Sequence, residues 1–114
     1  MIEETLLQRG TTLVRRLRLE PGERMHWHRD PFHRVTVVLQ GDALAIEPRE
    51  GGELERFEVT PGQVDWDEPS DRLHRGVNVG EHPYEEIAIF FSTDPTPCRS
   101  RATRNRRIRV ASAA

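Results

Sequence analysis

A chain of 114 residues, 35% hydrophobic and 32% charged, has room for one core under a heavily charged surface and not for two. It contains no run of about 18 apolar residues, which excludes a helical membrane span. The lone Cys98 excludes an internal disulfide and fits a reducing cytoplasm, where the protein is expected to reside. Met1 to Gly10 carries two acids and no apolar stretch, so no secretory signal is expected there.

In chain order, Thr11 to Leu19 reads as a strand, with Leu13 and Leu17 apolar and arginines between. Pro21-Gly22 is a turn. Val35 to Leu39 is β-branched and suits a buried strand. Gly41-Asp42 turns the chain into Ala43 to Ile46. Gly51-Gly52 marks a hairpin before the alternating stretch Leu54 to Val59. Pro61-Gly62 leads into Val64 and Trp66. Gly76 to Asn78 and Glu86 to Phe91 close the series. The first residues carry no readable period. Short strands between turn signals predict an all-β sandwich or closed barrel, with less than about a tenth helix.

The barrel domain is expected over 1–94 and a basic tail over 95–114. All 17 basic residues are arginine, and six of them lie in the tail, which has no acid. The remaining 11 stand against 19 acids, so the body carries −8. An arginine-rich tail suits a nucleic-acid arm or an end that docks on its own acidic domain. No aromatic residue interleaves these arginines for base stacking, so the second reading is preferred and no nucleic-acid partner is expected.

The chemistry is concentrated between Gly22 and Gly41, where His26, Trp27, His28, Asp30, Pro31, His33 and Arg34 crowd together. His26, His28 and Asp30 fall on even positions and share one face of an extended strand. His74 lies far downstream. Histidines and a carboxylate converging from separate strands make a metal cage.

The spacing of these residues resembles that of the cupins, which are double-stranded β-helix (jelly-roll) barrels. The resemblance covers residues 11–93. In the first cupin motif, Gly is followed after five residues by His-x-His, then by Glu and, six residues on, by Gly. Both flanking glycines fit without a gap when His28 is the first ligand, Asp30 replaces the second and Arg34 replaces the glutamate. The other register keeps His26 and His28, puts His33 in the glutamate slot and needs gaps. In the second motif, Pro69, His74 and Asn78 keep the family's spacing, with Asp71 in place of a glycine. The resemblance implies His74 as a ligand and Asn78 as a structural residue.

In the gapless register, His28, Asp30 and His74 form the two-imidazole, one-carboxylate set that suits iron, manganese, nickel or zinc. His26 is a ligand in the other register. The basic residue that 2-oxoglutarate oxygenases place after the distal histidine is missing from Glu81 to Glu86, so that cosubstrate is not expected. Arg34 has three readings: a clamp for a substrate carboxylate, an ion pair with Asp30, or a solvent-facing side chain. His82 is expected in solvent and His33 at the rim. Trp27 and Trp66 read as core or pocket wall.

The resemblance implies a small cupin that binds a divalent metal and acts on or senses a small polar metabolite, a carboxylate above all, in a dioxygenase-like or isomerase-like way. The competing reading is a metal-free binding module built on Arg34. A homodimer is expected, paired through the edges of Thr11 to Leu19 and Glu86 to Phe91.

Overall fold

The computed structural model describes residues 1–92 and the backbone of 108–110. The strands are β1 (Ile2–Arg9), β2 (Thr12–Leu19), β3 (His28–Asp30), β4 (His33–Gln40), β5 (Ala43–Pro48), β6 (Glu55–Glu58), β7 (Val64–Asp67), β8 (Ser70–Val77), β9 (Tyr84–Phe91) and β10 (Ile108–Val110). There is no helix among the described residues, and none long and apolar enough to cross a membrane. One sheet runs β1-β2-β9-β4-β7-β10 and the other β3-β8-β5-β6. Every pairing within them is antiparallel.

The strands bury alternate residues, as a half-solvated antiparallel sheet must. In β9, Tyr84, Glu86, Ala88 and Phe90 are buried, and in β2 Leu17 and Leu19. Leu17, Leu19, Val38 and Tyr84 form the core, with Met25, Leu44 and Val59 packed against it. A buried leucine of this kind contributes about 1.5–3 kcal/mol. Gly41 has φ of 137°, and a Cβ there would stand 2.9 Å from Tyr84 Cδ1. Asn78 is buried and ties three segments together. Its Nδ2 donates to the carbonyls of Leu19 and His82 at 3.0 and 2.9 Å, and its Oδ1 accepts from Gly80 N at 2.9 Å.

Several expectations need correction. β8 begins at Ser70 and not at Gly76, and β9 at Tyr84. The N-terminal residues, unreadable in the sequence, form β1, every residue of which is exposed. A strand with neither face buried has no period to betray it; β1 is held by its ladder to β2 and by ion pairs such as Arg15–Glu3 at 2.8 Å. The two strands expected to be pairing edges are interior. β2 lies between β1 and β9, and β9 between β2 and β4. Of the basic tail, only β10 is described, paired with Val64 to Trp66 of β7; the rest of 95–114, Cys98 included, lies outside the described residues.

Candidate metal centre

β3 and β8 are neighbours in the smaller sheet, and His28 is the register partner of His74. Asp30 pairs with Ser70, so a β-bulge lets two steps of β3 oppose four of β8. The bulge brings His28, Asp30 and His74 together, with one ligand atom from each lying within 4.8 Å of the others. His74 Nε2 is 2.9 Å from Asp30 Oδ2, and His28 Nε2 is 3.6 Å from Asp30 Oδ1.

The imidazoles are oriented alike. His28 Nδ1 lies 2.8 Å from the carbonyl of His26, and His74 Nδ1 lies 2.8 Å from that of Arg72. A carbonyl only accepts, so each Nδ1 carries the proton and each Nε2 turns toward Asp30. This is the arrangement that fixes a metal-ligating histidine, and the donor set suits a divalent transition metal.

Contact with Asp30 raises the His28 imidazole above its usual range, against a lowering by its own burial. Burial disfavours a charged Asp30. Hydrogen bonds from His28 and His74 and the Arg34 charge overcome this and hold its carboxyl well below the usual carboxylate range.

Arg34 points into the barrel. Its Nη2 donates to Asp67 Oδ2 at 2.8 Å and its Nη1 to Asp30 Oδ2 at 3.3 Å. Burial disfavours its charge, but Asp30, Asp67 and Glu86 outweigh that and push the guanidinium further up. The solvent-facing reading of Arg34 is therefore overturned. Because the shorter bond goes to Asp67, the guanidinium is neutralised from outside the His–Asp–His cluster.

His26 is not brought into the cluster. It is exposed and precedes β3, so it offers His28 its carbonyl and not its ring. His33 sits over Trp66 with ring centroids 5.3 Å apart and its Nδ1 3.4 Å from Glu68. Trp27 is covered by the Arg75 guanidinium at 4.0 Å, and His82 is largely solvated beside Asp42.

His28 stands between two cavities. The inner one, about 60 Å³, is lined by Arg34, Asp67, His74, Tyr84 and Glu86 among others. The outer one, about 280 Å³, is lined by Arg15, Asp30, Phe32 and Phe90 among others. Sequence reasoning missed Arg15, Asp67, Tyr84 and Glu86. Glu86 accepts from the Tyr84 hydroxyl at 2.5 Å, and Arg15 Nη2 lies 3.7 Å from Glu86. A signal for two of them was present. Arg15 shares the face of Leu13 and Leu17, and Glu86 that of Ala88 and Phe90, so each is a charge on an apolar face.

No known family profile matches the chain. It is 39% identical over 57 residues to an (R)-mandelonitrile lyase from Granulicella tundricola, a match covering 50% of this chain and 40% of that protein. The chain thus matches about two fifths of the length of that relative. Among solved structures, a cupin domain from Bordetella pertussis aligns with a TM-score of 0.70 at 22% identity, covering 81% of this chain and 93% of that one. An RmlC-like cupin with a double-stranded β-helix fold, from Methanocaldococcus jannaschii, gives 0.64 at 14% identity over 80% and 79%. An oxalate oxidase in complex with the substrate analogue glycolate gives 0.55 at 22% identity over 75% and 44%. The all-strand architecture and these likenesses make the chain a double-stranded β-helix of the cupin fold.

Proposed function

We propose that the barrel binds one divalent metal ion through His28, Asp30 and His74 and acts on or senses a small carboxylate metabolite. The observation that carries this reading is the common orientation of the two imidazoles, each fixed by a carbonyl at 2.8 Å so that both Nε2 atoms turn to one carboxylate. When bound, the metal supplies a Lewis acid with open positions for an anionic oxygen. The chain's own residues have separate tasks. The carbonyls of His26 and Arg72 hold the rings in register, Asp67 neutralises Arg34, and Tyr84 keeps Glu86 hydrogen-bonded below.

A dioxygenase-like or isomerase-like reaction belongs to this proposal. The oxalate oxidase that shares the fold acts, by its name, on a small acid. The test is metal analysis of the purified protein by mass spectrometry beside an EDTA-treated control. Stoichiometric metal that His74→Ala abolishes supports the reading, and a metal-free wild type sinks it.

One observation favours a second reading. Arg34 Nη1 lies 3.3 Å from Asp30 Oδ2, a cation beside the carboxylate that a metal-free binding module would use. Metal analysis separates the two.

A further inference from the structure

We infer that the outer cavity is the binding site for a compact monocarboxylate with an apolar, ring-sized body, and that Arg15 and Arg29, not Arg34, meet its charge. The inference deepens the metal-centre reading and rests on it only for what lies at the cavity floor. The cavity measures about 280 Å³, room for about nine waters at ~30 Å³ each. That admits a phenyl ring bearing a short acid.

Its walls come from four separate segments: Leu13, Met25, Phe32 and Phe90. An apolar enclosure with few polar groups is how a protein selects a ligand body. Its floor is His28 and Asp30, and its cations are Arg15 and Arg29. Arg15 is fixed, with Nη1 on Glu3 at 2.8 Å and its guanidinium 4.9 Å over the Phe90 ring. Arg29 donates its Nε to the carbonyl of Asp71 at 3.0 Å, a neutral acceptor that leaves its charge unmatched there. Arg34 lines the smaller inner cavity and not this one. Glu3 and Asp30 also line the outer cavity and oppose a second carboxylate, so the ligand carries one.

The experiment is calorimetric titration of the full chain with phenylacetate, and with acetate and phenylacetamide as controls. Phenylacetate should bind at least about tenfold tighter than either. Phe32→Ala should weaken phenylacetate by about tenfold and leave acetate unchanged. Arg29→Gln, at an exposed position, should weaken phenylacetate and not phenylacetamide. Arg15→Gln should do the same, with circular dichroism reporting whether it folds. Phenylacetate binding no tighter than acetate, or unchanged by Phe32→Ala, overturns the inference. The two readings fail separately, because metal content and phenylacetate binding are read by different measurements. Metal retained without phenylacetate binding removes the cavity's role and keeps the metal centre. Phenylacetate bound by a protein that never retains metal does the reverse.

Discussion

His28 and His74 face one another as register partners across β3 and β8, with ring centroids 4.7 Å apart and planes at 60°. Asp30 and His74, 44 positions apart in the chain, meet at 2.9 Å. Ligand geometry here is set by strand pairing and not by a loop.

That relationship makes the ligand variants decisive. His74→Ala should abolish metal retention. Asp30→Ala should also lose the metal, whereas His26→Ala should keep it, because only the carbonyl of His26 is used. Metal content by mass spectrometry reports each. Full retention in Asp30→Ala would return the site to His26, His28 and His74.

Metal-free protein should show a characteristic pH profile. Folded His28 holds its proton more tightly than the unfolded chain does. The stability this contributes is complete below about 6.5 and is lost as pH rises through the raised value. Asp30 contributes the opposite way: its stability is present above about 3.9 and lost as pH falls through the depressed value. The melting temperature of EDTA-treated protein should therefore decline as pH rises above about 6.5, and His28→Ala should flatten that decline. A ligand imidazole must be neutral, so metal affinity should run the other way and weaken as pH falls through the raised value of His28. A wild-type profile as flat as the variant's would refute the His28–Asp30 coupling.

Arg34→Met should destabilise the fold by about 3 kcal/mol, because it removes the buried guanidinium that lies between Asp30 and Asp67. It should nonetheless retain metal, since Arg34 competes with a cation for Asp30. Chemical denaturation and metal content, measured on the same sample, check both halves. Loss of metal from a folded variant would show that Arg34 positions Asp30.

Gly41→Ala should cost about 1–3 kcal/mol. Its φ of 137° disfavours a side chain, and its Cβ would meet Tyr84 Cδ1 at 2.9 Å and Cα at 3.3 Å. The melting temperature should drop by about 4–8 °C for each kcal/mol. An unchanged transition would mean the Tyr84 ring moves freely aside.

We propose a homodimer that pairs through β1. β1 ends its sheet, and Ile2, Leu6 and Leu7 are about half exposed. Light scattering should give twice 13.2 kDa at micromolar concentration. A monomer alone refutes it.

Much of this was legible in the residues. β4 announced itself as a β-branched run and β2 and β9 as apolar stretches bounded by turns, and the spacing of Gly22 and Gly41 pointed to His28 and Asp30 over the more conspicuous His26-x-His28. β1 was invisible because exposure leaves no period. Arg15 and Glu86 were hidden inside apolar faces, where their pairing across β2 and β9 depends on contacts far apart in the chain. The mistaken edges have the same origin: which strand lies beside which is decided by closure of the whole barrel, and no local pattern records it.

β3 has three residues, and His28 and Asp30 are its two ends. It is also the margin of its sheet, joined to β8 alone. Ligation and the ordering of this short margin would therefore be one equilibrium: a cation bound at the cluster would act as a latch, and its departure would release the rim before the core. Amide hydrogen exchange would register this as a local opening confined to β3 and its neighbours, with Leu17, Val38 and Tyr84 still protected.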